Sequence, residues 1–318
     1  MSRVLHVLAG VLAVPAAGLT LARLVGGSRQ QLATVQAFAP WAVPAYLLVL
    51  LALGALLVRP ATRGRVPAVG ALVAVAALVL HLAWLAPTVV GAAPDVDPDA
   101  EPLTVMTANL ELGGADAAQV VAAARERGVG LLVVQEVTPR ALAALESAGL
   151  DQLLPHRAGE AGSGALGTLA FSRTPVASVA RIGTTMGSWA FTTGGLRVLA
   201  VHPAYPLSQR WGAELATVRR AAQQERPDLV LGDLNASRDH APLRAILATG
   251  LRDAAELVNA GWQPTWPVGG FRGWPVPTSV AIDHVLVGEE LTATRTATLR
   301  IDDTDHRALV ATVVRRAS

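Results

Sequence analysis

The stretch Asp228-Leu-Val-Leu-Gly-Asp-Leu-Asn235 sets the reading of this 318-residue chain. Residues 228–234 read as a strand whose apolar run, Leu229-Val-Leu231, passes directly into Gly232-Asp-Leu-Asn235. Alternation along a strand puts Asp233 and Asn235 on one face, with Leu234 turned the other way. Taken alone, the motif is also what an Asx turn looks like.

Working outward, similar polar endings recur. Residues 103–108 read as a strand that stops at Asn109, followed by Glu111. The near-continuous apolar run at 130–137, the pattern of a strand covered on both faces, carries Gln135 and Glu136 at its end. Strand 196–202 ends in His202-Pro203, and Ile282-Asp-His284 and Thr304-Asp-His306 follow later. Further strands are predicted at 168–172, 176–182, 282–287, 294–300 and 308–314, and helices at 115–127, 138–148, 208–225 and 240–248. Strands and helices without strict βαβ alternation predict an α/β fold, a four-layer sandwich of two mixed sheets flanked by helices. Each polar ending has a bland explanation: Asn109 as a turn or cap, Glu136 as a solvated rim, His284 and His240 as surface residues. Chance accommodates one or two such features comfortably and the ordered set poorly.

Carboxylates, amides and imidazoles converging from six strand ends suit a cation-binding, phosphate-handling pocket. A hard divalent ion, Mg²⁺ or Mn²⁺, takes oxygen ligands of this kind. It neutralises phosphoryl oxygens and helps generate a nucleophile from water. A histidine held by an aspartate transfers protons or stabilises charge near neutral pH. The absence of cysteine excludes disulfides, zinc–thiolate sites and a cysteine nucleophile.

In its order, the set Asn109, Glu136, His202, Gly232-Asp-Leu-Asn235, Ile282-Asp-His284 and Thr304-Asp-His306 resembles the endonuclease/exonuclease/phosphatase superfamily, over about residues 103–318. Gly167-Thr-Leu-Ala-Phe-Ser172 resembles that family's run before its central hairpin. The resemblance implies Glu136 as the principal Mg²⁺ ligand helped by Asn109, with Asp305 a further carboxylate of the metal site. It implies that Asp233 orients or deprotonates the attacking water and that Asn235 holds the scissile phosphate. His306 would contact the phosphate and pair with Asp283, and His202 would stand on the leaving-group side without an identified acidic partner. Thr304 stands where the family usually has serine, which keeps the hydroxyl.

The N-terminal part has another character. Residues 4–22, 30–58 and 66–94 carry no charge, and each is long enough to cross a hydrocarbon core of ~30 Å. Three transmembrane helices are expected, at about 4–22, 38–58 and 68–90, within a membrane domain at 1–94. An acidic, proline-rich linker at 95–102 then leads to a catalytic domain at 103–318. Arg59, Arg63 and Arg65 crowd the second loop, Arg3 precedes the first span, and the first loop offers only Arg23 and Arg29. Positive-inside then puts the N-terminus in the cytoplasm and the catalytic domain outside the cell membrane's cytoplasmic face. His6 and His81, within spans, read as snorkelling or packed against helices. Three helices ahead of an outward domain resemble the membrane-tethered branch that includes teicoplanin-resistance (VanJ-like) proteins.

All 26 basic residues are arginine, and dividing them corrects the first impression left by a sequence pI of about 9.8. Six fall in residues 1–94 with no acid, leaving 20 against 24 acids beyond. The domain is therefore acidic, which disfavours a duplex nuclease reliant on phosphate neutralisation. Of the expected partners, a lipid bilayer and a lipid-linked phosphate or phosphodiester fit better than nucleic acid. The loop Gly261-Trp-Gln-Pro-Thr-Trp-Pro-Val-Gly-Gly-Phe-Arg-Gly-Trp274 offers Trp262, Phe271 and Trp274 as an apolar substrate rim, with Trp266 in the core. Tyr205, Arg210 and Trp211 form a second rim candidate. The competing readings are a membrane-bound nuclease and a non-catalytic receptor or scaffold; retention of nearly every motif position argues against the latter.

Overall fold

The computed structural model describes residues 2–27, 29–91 and 96–317. The chain divides into two compact units, Met1–Pro87 with Asp239–Ala241, and Thr88–Arg238 with Pro242–Ser318. Residues 92–95, where the membrane part was expected to give way to the linker, lie outside the described residues.

In the first unit the charge-free stretches fold as α1 (Ser2–Val25), α2 (Gln30–Gln36), α3 (Ala42–Leu57) and α4 (Arg65–Leu85). Three helical stretches, Arg3–Val25, Ala39–Leu57 and Arg65–Thr88, are long and apolar enough to cross a membrane. The second charge-free stretch is broken: α2 is a separate helix, and Pro40 opens a 3₁₀ turn (Ala39–Trp41) before α3. Small residues let the helices approach, with Ala16, Ala42, Ala52 and Ala74 buried around Val49 and Leu56. Leu51 and Leu72 point outward, as expected of helices that are apolar all round. His81 is packed inside rather than snorkelling. It is 2% exposed, and its Nε2 lies 3.0 Å from Thr20 Oγ1, itself 2.8 Å from the Tyr46 hydroxyl.

The second unit runs β1 (Leu103–Asn109), α5 (Ala117–Glu126), β2 (Leu131–Gln135), α6 (Pro139–Ser147), α7 (Leu150–Leu153), β3 (His156–Glu160), β4 (Thr168–Ser172), β5 (Val176–Ile182), β6 (Ser188–Thr193) and β7 (Leu196–Val201). It continues with α8 (Trp211–Glu225), β8 (Leu229–Asp233), α9 (Ala241–Leu247), β9 (Arg252–Asp253), α10 (Ala254–Leu257), β10 (Asp283–Val287), β11 (Leu291–Arg300) and β12 (Arg307–Arg315). One sheet orders β11-β12-β1-β2-β4-β3 and the other β5-β6-β7-β8-β10-β9.

Alternation assigns the layers. Val105, Leu131, Val133, Val198, Leu229, Leu231 and Val285 fill the space between the sheets. Their neighbours Met106, Leu132 and Val134 face outward onto Val120 and Val121 of α5 and Leu145 of α6. Asp116 and Thr138 cap those helices by accepting from the Gln119 and Ala141 N–H groups. On the other side α8 buries Trp211, Leu215 and Val218. The sandwich of two mixed sheets flanked by helices is the expected fold. The sequence reading had no strands at 156–160, 188–193 and 252–253. Of these, β3 is a polar edge strand that buries only Ala158, and β9 has two residues.

Candidate active site

Strand direction gathers the polar endings. β1 runs parallel to β2 and β7 parallel to β8, whereas β12 is antiparallel to β1 and β10 antiparallel to β8. The carboxyl ends of the first four and the amino ends of the last two therefore share one edge of the sandwich. Alternation then carries the inter-sheet face out to that edge. Asn109 follows Val105 and Thr107 on β1, and Asp233 follows Leu229 and Leu231 on β8. His202 follows Val198 and Ala200, and Asp283 precedes Val285 on β10. Beneath them the buried Gln135 amide donates to the Thr107 hydroxyl (3.0 Å). Gly232 is required here, since a Cβ would stand 2.0 Å from the Val201 carbonyl oxygen.

A continuous hydrogen-bond chain fixes the cluster. The Asn109 amide donates to Glu136 Oε1 (3.2 Å) and to Asp233 Oδ2 (3.0 Å). Glu136, just past β2 with a φ of 59°, also accepts from the Leu112 N–H through Oε2 (2.7 Å). Asp233 Oδ1 accepts from the Asn235 N–H (2.7 Å), and the Asn235 amide donates to the Pro203 carbonyl (3.1 Å). The Thr304 hydroxyl donates to the Asn109 carbonyl (2.9 Å) and accepts from the His306 N–H (3.2 Å), tying the last motif to the first. His306 Nδ1 lies 2.8 Å from Asp283 Oδ2, while its Nε2 is 3.8 Å from Asp233 Oδ2 and 3.7 Å from Asp305 Oδ1. His202 is fully buried, 3.7 Å from Asp233 Oδ2 and 4.0 Å from Glu136 Oε1 through Nε2. These are the acids nearest a side chain for which the sequence offered no acidic partner.

Burial and mutual charge separate the protonation states. Burial, with the like charge of Asp283, pushes the Asp233 carboxyl up to about 7. Burial alone would lower His306, but the Asp283 carboxylate and its hydrogen bond, with Asp233 and Asp305, raise it to about 10. Burial and the neighbouring His306 cation drive His202 down to about 3, so its imidazole is neutral. Glu111 is raised by burial and by the like charge of Asp305.

The donor set fits a divalent cation. Glu136, Asp233, Asp283 and Asp305 bring four carboxyl groups together, and Asp283 Oδ1 and both His202 ring nitrogens are buried without a hydrogen-bond partner. Such orphaned groups are costly unless something answers them. Ligand atoms of Asp233, Asp283 and His306 lie within 4.8 Å of one another. The His306–Asp283 hydrogen bond already occupies that trio, whereas each Glu136 oxygen and Asp305 Oδ2 accepts a single hydrogen bond and has a second lone pair to offer.

The aromatic residues sort differently from their sequence reading. Trp211 is no rim residue: it is fully buried, and its indole N–H donates to the Asn235 carbonyl (2.9 Å) behind the site. Trp266 is half-buried and donates to Asp305 Oδ2 (2.8 Å), a contact the sequence did not signal. Trp262, Phe271 and Trp274 are exposed. His284 is not at the surface either. It is buried, with Nδ1 2.7 Å from Asp253 Oδ2 and Nε2 2.9 Å from the Ala236 carbonyl.

Comparison with known proteins agrees with this geometry. The model of the endonuclease/exonuclease/phosphatase family matches residues 106–306. Among solved structures, TDP2 of D. rerio complexed with a single-strand DNA product is 17% identical, with a TM-score of 0.54, covering 67% of this chain and 99% of that one. The 3′ phosphatase NExo from Neisseria, bound to a product DNA hairpin, is 18% identical at a TM-score of 0.54, over 66% and 98% of the two chains. An AP endonuclease from Archaeoglobus fulgidus is 14% identical at 0.55, again over 66% and 98%. At these identities the likeness is one of fold. No curated protein matches the sequence.

Proposed function

The chain belongs to the endonuclease/exonuclease/phosphatase family, and from that premise we propose that it is a membrane-anchored, divalent-metal-dependent hydrolase of phosphate esters with an extracytoplasmic active site. The observation that carries the reading is the convergence of Asn109, Glu136, His202, Asp233, Asn235, Asp283 and His306 on one edge of two sheets.

Glu136, Asn109 and Asp305 would hold Mg²⁺ or Mn²⁺, which when bound offsets charge on the phosphoryl oxygens and favours ionisation of water. Asp233, held by two donors and poised near neutrality, takes the proton of the attacking water. The new bond forms between that water's oxygen and phosphorus as the ester oxygen departs. Asn235 and the imidazolium of His306 hold the phosphoryl oxygens, His306 being kept charged by Asp283. His202 stands toward the leaving oxygen as a neutral hydrogen-bonding group.

The arginine distribution supports an outward catalytic domain, and three spans before it support the VanJ-like, membrane-tethered branch. The exposed Trp262, Phe271 and Trp274 support an amphiphilic, lipid-linked substrate. A nuclease is the second reading, favoured by the DNA products named in two structures of this fold.

Full-length protein in detergent is expected to hydrolyse an aryl phosphodiester or phosphomonoester with Mg²⁺ or Mn²⁺, and to lose this in EDTA and in Asp233→Ala or His306→Ala. Equal turnover in wild type and both variants would overturn the site. A panel of lipid-linked pyrophosphate, phospholipid and single-stranded DNA decides the substrate class. A reporter fused after Ser318 that is active only in the cytoplasm would reverse the topology.

A further inference from the structure

The site is charged, yet its surroundings are apolar. Leu112, whose N–H holds Glu136, is 60% exposed. The loop after α10 presents Trp262, Phe271 and Trp274 at 43%, 39% and 74%. The tip is a built turn rather than loose chain. Phe271 and Trp274 exchange backbone hydrogen bonds (2.9 Å each) around Arg272-Gly273. A Cβ on Gly270 would lie 2.4 Å from the Trp274 carbonyl oxygen, so only glycine admits the turn. Phe271 packs edge-on against Trp266 (5.1 Å between centroids), whose indole N–H holds Asp305. The exposed rings are thus braced on the catalytic edge.

The root of the loop gives a second, independent observation. The Gly261 N–H donates to the Thr88 carbonyl (2.8 Å), and Thr88 ends the third candidate span. Val89 and Val90, which follow it, are 56% and 73% exposed. Tryptophan and phenylalanine flanked by an arginine are the residues that partition into the headgroup layer of a membrane. Arg272, its guanidinium 5.3 Å from the Phe271 ring, adds a cation at the tip.

We propose that Val89, Val90, Trp262, Phe271 and Trp274 form a surface that enters the headgroup region of the bilayer holding the three helices. The site then takes its phosphate ester from that surface, so its substrate is an amphiphile whose phosphate lies at the headgroup. This last step rests on the hydrolase reading; the docking itself does not.

The chain has no cysteine, so a single introduced one reports alone. Full-length Arg272→Cys and Pro275→Cys, which keep every aromatic ring, carry a nitroxide in vesicles of phosphatidylcholine and phosphatidylglycerol. Val179→Cys on β5, 47% exposed, is the water-facing reference. Both rim labels are expected to collide with a water-soluble nickel chelate at least threefold less than the reference, and with oxygen more. Phe271→Ser with Trp274→Ser in the Arg272→Cys background should return the label to the reference value. Rim labels as open to nickel as position 179 overturn the proposal. Labels shielded from both reagents also overturn it, because protein then covers the loop. Lipid-like labels on a protein that cleaves no phosphate ester would sustain the docking surface and sink the hydrolase reading.

Discussion

Asp283 and Asp233 face each other as register partners across β8 and β10, and Asp283 alone of the two is hydrogen-bonded to an imidazole, that of His306 at 2.8 Å. One carboxylate thus acts on two groups, raising Asp233 by repulsion and His306 by attraction. Activity is expected to rise with pH as Asp233 loses its proton near 7 and to fall as His306 loses its own near 10. Asp283→Asn removes both influences, so both limbs of a kcat/KM profile should move to lower pH, with turnover at pH 8 falling ~10²-fold or more. Unmoved limbs would show that Asp283 acts elsewhere.

Glu136→Gln keeps the shape of a side chain that accepts from Asn109 and Leu112 but removes its charge. Loss of a cation ligand should weaken Mn²⁺ binding, read by electron paramagnetic resonance of the free ion, by at least ~10–100-fold, the scale seen even for groups behind the ligands. Unchanged affinity would move the cation to the Asp233, Asp283 and His306 group.

His284 is predicted to stabilise rather than catalyse. Burial lowers its proton affinity, but the hydrogen bond and charge of Asp253 outweigh that and raise it. A folded value above the unfolded one, ~6.5, gives stability that is complete below that pH and lost as pH rises through the folded value. His284→Gln should cost about 3–5 kcal/mol by stranding the Asp253 carboxylate. The gap in melting temperature from wild type should narrow as pH rises above ~6.5; a constant gap refutes the charge contribution.

Gly232→Ala places a methyl group 2.0 Å from the Val201 carbonyl oxygen. The parallel pairing of β7 and β8 must open to admit it, at about 1–3 kcal/mol or more. Because Asp233 is the next residue, turnover should fall together with the melting temperature. Full activity would mean that the turn tolerates a Cβ.

Much of the site was legible because a polar residue at the end of an apolar strand is anomalous in proportion to the strand's burial. Asn109, Asp233 and Asp283 stand out against Val105, Leu231 and Val285, and alternation alone puts them on the inter-sheet face. What was illegible depends on contacts between distant segments. Trp211 looked like rim beside Arg210 and proved to be the support of Asn235 from α8. His284 looked exposed because Asp253, its partner, lies 31 residues away. The polar edge strand β3 carries too little apolar signal to announce itself.

β12 lies between β11 and β1, so the domain's last strand is bonded to its first, Val313 opposite Leu103. Thr304 reaches Asn109 across 195 positions of sequence. The catalytic edge therefore waits on β12: β11 takes its place in the sheet only beside that strand, and the segment leading into β12 brings His306 and its hydroxyl anchor Thr304. A chain stopped after Arg300 would carry Asn109, Glu136, Asp233 and Asp283 but none of Thr304, Asp305 and His306.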